Sequence, residues 1–219
     1  MSLKSVKVPD GFSPIFEKAE TYVKNYFDTF KQDSSKGTIE INGERYILVR
    51  SASMSVHFLQ FIKNMYPAIS EEEAIVASSR VLHDLAKAIG SSDAKNFHHQ
   101  THMSDPIEKL STGPVHFAYT GWAFVDIAEQ SNPSPDENFC LLYDHPQSFE
   151  ADSWIEENGK TDFCVCFMNA GYSSGWCEQS FGISLTAQEI SCRARGEEHC
   201  RFVMAQPHRL QEFVEKFSK

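Results

Sequence analysis

Six cysteines, at positions 140, 164, 166, 177, 192 and 200, all fall in the C-terminal part of a 219-residue chain, and none precedes them. With no sign of secretion at the N-terminus, such a cluster points to a metal or to buried thiols rather than to a disulfide framework. Thiolates attract zinc, and a carboxylate oxygen can complete a tetrahedron. Between Cys166 and Cys200 lie Gly171-Tyr172-Ser173-Ser174-Gly175, then Glu189-Ile190-Ser191-Cys192, then Gly196. Cys192 and Cys200 flank a Gly-containing turn, so a hairpin brings them together. Glu189 and Cys192 differ by three positions, which on a regular strand sends them to opposite faces. A bulge or a strand end between them is required if both are to hold one ion. A set of free buried thiols accounts for the same residues, since unpaired Cys is among the most buried residue types.

Two further groups could carry chemistry. His83-Asp84, with His57 upstream, is similar to the pattern by which metal-dependent phosphohydrolases of the HD type hold the ion that activates water. A helical His beside a solvated Asp explains the same pair, and no further ligand stands out downstream. His98-His99-x-x-His102 places His98 and His102 four apart, a spacing that chelates metal on a helix. There is no intervening Glu, and the polar flanks favour a solvated surface run.

The elements that must position these residues follow from composition and patterning. The formal charge is −10, from 20 Lys+Arg against 30 Asp+Glu, and the 41% hydrophobic content with 17 Phe is that of a globular chain. The acidic balance argues against wrapping nucleic-acid backbone, no stretch reaches the roughly 20 apolar residues of a membrane span, and Met1-Ser2-Leu3-Lys4 opens no signal sequence. A cytoplasmic, soluble chain is expected. Ile15, Phe16, Ala19, Tyr22, Val23, Tyr26, Phe27 and Phe30 predict an amphipathic helix over 13–31. A hairpin follows, 38–41 and 45–50 around Asn42-Gly43. Helices are expected over about 53–65 and 71–89, the second opening on the capping-box pattern Ser70-Glu71-Glu72-Glu73 and stopping near Gly90-Ser91-Ser92. From Gly113-Pro114 the pattern turns strand-like, with strands at 115–118, 122–127 and 139–143. Helices over 148–157 and 163–181, a hairpin over 183–193 and 199–205, and a helix over 207–217 complete the chain.

Residues 166–203 resemble the small-molecule-binding domain named after 4-vinyl reductase, and within it the sensor domain of bacterial aromatic-responsive activators of the xylene, phenol and toluene regulator type. The family pattern is a Cys, then Gly-Tyr-x-Ser-Gly, then Glu-x-x-Cys-x7-Cys. Residues 38–54, Gly90-Ser91-Ser92-Asp93-Ala94 and residues 147–155 match its upstream segments, so the resemblance covers roughly 36–208. It implies that Cys166, Glu189, Cys192 and Cys200 are zinc ligands. Such a zinc is structural, because four protein ligands leave no open position for water. Cys164 is the competing ligand, and Cys140 and Cys177 are expected as core thiols. Residues 51–95 become sensor helices, which weakens the phosphohydrolase reading.

The resemblance also implies a buried apolar cavity for a small aromatic effector, whose polar group is held by a His and a Trp. The His falls on His116. The Trp falls on Tyr143, once two extra residues around 145–147 are allowed. An aromatic on the central helix falls on Trp176, and another, two before the zinc Glu, falls on Ala187. Phe117, Tyr172 and Leu141 are candidate wall residues, with ordinary core packing the alternative for each. The expected fold is α+β: one vinyl-reductase-type domain with an antiparallel sheet and flanking helices. Residues 1–35 form an N-terminal helical extension, whose aromatic stripe is a candidate homodimer surface; core packing explains the same stripe. Residues 36–208 form the sensor, and 209–219 a helix leading to an output domain, ATPase and DNA-binding or kinase, that the chain lacks. Met1-Ser2-Leu3 reads either as a cloning remnant of an excised sensor or as the start of a sensor whose partner is separate. The expected function is to sense a small hydrophobic or aromatic molecule and regulate transcription or signalling, without turnover and without direct contact to nucleic acid or membrane. The rivals are an HD-like phosphohydrolase using His57, His83 and Asp84, a reductase-associated protein, and a trafficking-type scaffold without a ligand-sized cavity.

Overall fold

The computed structural model describes residues 3–218, so Met1 and Ser2 of the candidate cloning remnant lie outside the described residues. In chain order the elements are β1 (Val6–Lys7), α1 (Ser13–Phe27), β2 (Lys31–Asp33), β3 (Thr38–Ile41), β4 (Glu44–Tyr46), α2 (Val56–Met65), α3 (Glu71–Gln100) and α4 (Pro106–Tyr119). They continue as β5 (Ala123–Ile127), β6 (Leu141–Ser148), α5 (Phe149–Asn158), α6 (Phe167–Phe181), β7 (Thr186–Ser191), β8 (Cys200–Ala205) and α7 (Leu210–Phe217). Helices and strands are mixed along the chain as an α+β fold. The main sheet has the order β1-β5-β6-β8-β7, and a small second sheet the order β2-β3-β4. The main sheet is not wholly antiparallel: β1 runs parallel to β5. No helix among the described residues is long and apolar enough to cross a membrane.

The pleat of β6 and β8 divides the interior in two. Leu141, Tyr143, Phe202 and Met204 face the large core under α4 and α6. Leu142, Val203 and Ala205 face the other way, where Phe213 of α7 covers them. This is the period-two alternation of a strand buried on both faces. At the N-terminus, Phe16, Ala19, Val23 and Tyr26 of α1 are buried within the chain, while Tyr22 and Phe30 remain exposed.

Three elements depart from the expected pattern, each for a physical reason. Residues 115–118 are helical, not a strand. Asp105 caps α4 by accepting from the Ile107 and Glu108 amides, Pro106 fills the first turn, and Ile107, Leu110, Pro114 and Phe117 recur at helical spacing. A short apolar run does not distinguish a buried helix from a strand. The helix α3 does not stop at Gly90 but continues to Gln100. Gly90 is there because the backbone of α6 crosses at that point: a Cβ on it would stand 2.3 Å from the Tyr172 carbonyl oxygen. In return, a Cβ on Gly171 would stand 2.1 Å from the His83 carbonyl oxygen, and one on Gly175 2.1 Å from that of Lys87. The two helices therefore meet backbone to backbone along a seam of three glycines. Lastly, the strand after Asn42-Gly43 ends at Tyr46, leaving Ile47, Leu48 and Val49 exposed.

Candidate functional site

Helix α6 carries chemistry at both its start and its middle. Cys166 immediately precedes it, Glu189 lies in β7, Cys192 follows β7, and Cys200 opens β8. The register of β7 on β8 shifts between Glu189 and Ser191, the irregularity that the three-residue spacing demands. The three sulfurs and one carboxylate oxygen lie within 4.8 Å of one another. Cys166 Sγ is 3.6 Å from Cys200 Sγ, and Cys200 Sγ is 3.9 Å from Cys192 Sγ. These are not disulfides, whose sulfurs sit about 2.05 Å apart. Thiolates about 2.3 Å from a shared ion at tetrahedral angles stand about 3.8 Å apart, so the spacing suits such a centre.

The environment agrees with the geometry. Glu189 Oε2 accepts the Cys166 amide at 2.8 Å, while Oε1 is buried without a hydrogen-bond partner. Burial pushes the Cys166 thiol and the Glu189 carboxyl well above their ordinary ranges. Neither therefore ionises without a compensating cation. The start of α6 is itself anchored from α5. The buried Glu150 carboxylate accepts the Met168 amide at 2.9 Å and the Asn169 amide at 2.8 Å, two of the free donors at a helix N-terminus. Burial raises its carboxyl to about 8. Asn169 Nδ2 donates to Ser148 Oγ at 2.7 Å, and that hydroxyl lies 3.2 Å from Cys166 Sγ. Sequence reasoning missed Glu150; its available signal was a lone acid at the junction of an apolar strand and a helix.

The other candidate ligands do not converge. Among the described residues, Cys166, Glu189, Cys192 and Cys200 are the one group of three or more potential donors close enough to share an ion. His57 lies 3.2 Å from Glu157, and His83 3.2 Å from the exposed Asp84 beside it. His98 packs edge-on to Trp176 near the end of α3, and His102 lies beyond that helix with φ +54°, so the two share no helical face. Cys164 stands outside the group, its sulfur 3.9 Å from Arg195 Nη1. Cys140 packs on the α7 side of the sheet.

One and two turns into α6, Tyr172 and Trp176 form part of the wall of a cavity of about 30 Å³, completed by Phe117, Leu141, Tyr143 and Cys177 among others. Every side chain on it is uncharged. That volume is about one water's share, whereas a cavity of about 150 Å³ holds benzene, so an aromatic guest requires the walls to move outward. A larger open groove, about 1390 Å³, runs on the surface past Lys4, Glu20, Trp122 and Glu156. Its charged rim and exposure to solvent make it the poorer candidate for an apolar guest. Trp176 is fixed by its indole N–H, which donates to the Lys109 carbonyl at 3.1 Å, and by Gly113, where a Cβ would stand 2.6 Å from the indole ring.

His116 lies one layer behind this wall, its ring centroid 5.0 Å from that of Trp176 and 5.1 Å from that of Phe27. Its Nδ1 is 3.0 Å from the Tyr172 hydroxyl, which donates to Asp93 Oδ2 at 2.9 Å. Tyr172 has one proton and gives it to Asp93, so His116 carries its proton on Nδ1 and leaves Nε2 as an acceptor. Burial lowers His116 to about 3, keeping it neutral. Ala187, also buried, donates its amide to Ser174 Oγ at 2.9 Å.

Asp93 gives a pH prediction. Burial raises its carboxyl from 3.8 to about 6, against the opposing pull of the Tyr172 hydrogen bond. Between those values the folded chain holds a proton that the unfolded chain has lost, so this group's contribution to stability falls as pH rises across the window and then levels. Asp93→Asn should remove that slope and, at pH 7, add up to about 3 kcal/mol. Urea melts of both proteins from pH 4 to 7 check this; parallel stability curves would contradict it.

Comparison with known proteins bears out the resemblance read from the sequence. Residues 150–206 match the domain family named after 4-vinyl reductase. The phenol regulator MopR of Acinetobacter guillouiae is 25% identical over 200 residues, 91% of this chain and 34% of that regulator. The transcriptional regulatory protein XylR of Pseudomonas putida is 30% identical over 96 residues, 44% of this chain and 17% of that protein. The chain thus spans about a third or less of either relative. The crystal structure of the phenol-responsive sensory domain of the transcription activator PoxR with phenol superposes with a TM-score of 0.74. At 17% identity, the match covers 91% of this chain and 96% of that one.

Proposed function

We propose that this chain is a cytoplasmic sensory domain that takes up a small, neutral aromatic molecule in the cavity beneath α4 and α6 and passes its occupancy to an output domain that regulates transcription. The observation that carries the reading is the union, on α6, of an uncharged aromatic cavity and a thiol–carboxylate group able to hold a metal. The relatives' names, a phenol regulator and a transcriptional regulatory protein, supply the class of ligand and output. Tyr143, Trp176, Tyr172, Phe117 and Leu141 are the proposed wall, and His116 supports it through Tyr172. Within this reading residues 36–208 form the sensor, 1–35 complete it at the N-terminus and favour a homodimer, and 209–219 lead toward the output.

Cys166, Glu189, Cys192 and Cys200 would hold a structural zinc, whose role is to tie the start of α6 to the β7–β8 hairpin. The chain's own residues do the rest: Glu150 and Ser148 fix the end of α6, and Gly113 with Lys109 fixes the indole. Signalling requires that the ligand bind one conformation better than another. Widening a cavity of about 30 Å³ supplies such a difference. The test is metal analysis of the purified protein together with calorimetric titration by phenol. About one zinc per chain, by the four-ligand count, and saturable binding of phenol are expected. A metal-free chain with an intact fold would overturn the zinc assignment. Failure of phenol and of other neutral aromatics to bind would overturn the sensor reading.

A further inference from the structure

His145 is completely buried, yet neither of its ring nitrogens has a hydrogen-bond partner. A buried polar atom left in this condition costs about 1–3 kcal/mol. Two such atoms on one ring therefore ask for an explanation. The Tyr143 hydroxyl, two residues earlier and on the same face of β6, is likewise buried and unpartnered. Ser173, on the cavity wall close by, has already given its proton to the Asn169 carbonyl at 2.9 Å. The two rings of β6 touch, with centroids 5.3 Å apart, and Phe117 closes the other side of His145 at 5.6 Å. Tyr143 and Phe117 are both cavity walls, so outward movement of either opens His145 to whatever the cavity holds.

Resting on the sensor reading above, we propose that His145 and Tyr143 together receive the polar head of the effector, and that they select hydroxylated aromatics over aromatic hydrocarbons. A neutral imidazole offers one donor and one acceptor, and a tyrosine hydroxyl offers both. A phenolic hydroxyl, itself donor and acceptor, satisfies one atom on each. Burial lowers His145 to about 3, so it meets the ligand uncharged. No cationic side chain lines the cavity, and a carboxylate guest would enter without a counter-charge. A hydrocarbon would leave the same polar atoms unpaired as before. His116, in contrast, already has its Nδ1 committed to Tyr172 and stands behind the wall.

The experiment compares phenol and toluene on the intact protein and on Tyr143→Phe and His145→Phe, each of which keeps an aromatic ring. In the wild type phenol should bind at least about 10-fold tighter than toluene, the factor for one buried hydrogen bond of about 1.4 kcal/mol. In both variants the phenol affinity should fall by about that factor while toluene affinity stays within about 2-fold. Tyr143→Phe deletes a single oxygen and keeps the assay informative if the histidine variant folds poorly. Nitrogen NMR of histidine-labelled wild type supplies a second readout, with the His145 ring signals expected to shift on adding phenol. Phenol affinity unchanged in both variants, phenol and toluene lost alike, or unmoved His145 signals would overturn the assignment and leave the sensor reading standing. A wild type that binds neither compound would overturn both.

Discussion

Cys192→Ser should yield protein with less than a tenth of the wild-type zinc and a Tm about 10–20 °C lower. Cys192 joins the end of β7 to the turn before β8, and its sulfur lies 3.9 Å from that of Cys200. Removing one of four ligands leaves two buried thiols and a buried carboxylate that must either keep their protons or lose their packing. A loss of about 5 kcal/mol is at the upper end for a single substitution, as expected where a metal is lost. A chain of this size converts each kcal/mol into about 2–4 °C. Cys164→Ser is the paired control. It should retain about one zinc per chain, because Cys164 lies outside the donor group and faces Arg195. Elemental analysis with thermal melts decides the matter. Full zinc and an unchanged melt in Cys192→Ser, or loss of metal in Cys164→Ser, would refute the ligand set.

Gly175→Ala should be nearly as damaging, for an unrelated reason. The added methyl would stand 2.1 Å from the Lys87 carbonyl oxygen and 2.8 Å from the Ser91 amide nitrogen. Both are backbone atoms inside α3 and cannot rotate away, so α3 and α6 must separate. Overpacking of this kind costs about 3 kcal/mol, which lowers the Tm by about 6–12 °C. Gly11→Ala, at a position where nothing lies within 4 Å of the new carbon, should leave the melt unchanged. Equal melting of the two variants would contradict the seam.

Much of this architecture was legible because its signals are local. Asn42-Gly43 announces a tight turn, Ser70 and Glu73 a capping box that forms as expected, and the spacing of Glu189, Cys192 and Cys200 a bulged hairpin. The Cys166 end of the donor group needed the resemblance, since no rule of spacing relates a residue before α6 to a hairpin some 25 positions later. What was illegible depended on partners distant in sequence. Gly90 looked like a stop because its reason, the Tyr172 carbonyl, lies on another helix. Residues 115–118 looked like a strand because Val115, His116 and Phe117 are all buried and show no alternation with solvent. His145 carried no sequence signal at all, because an isolated histidine in an apolar strand reads the same whether or not its nitrogens find partners.

The glycine seam also determines how stiffness is distributed around the cavity. Where two helices meet through side chains, small rotamer changes let them slide or part. Where they meet peptide against peptide, as at Gly90, Gly171 and Gly175, they behave mechanically as one thick beam. Tyr172 and Trp176 project from that beam, so their side of the cavity is the unyielding jaw. Compliance must come from the opposite jaw: α4, with Pro114 inside it, and the strand bearing Tyr143. The size of a guest is thereby converted into displacement of α4 and β6, the elements that abut α1 and, across the sheet, α7.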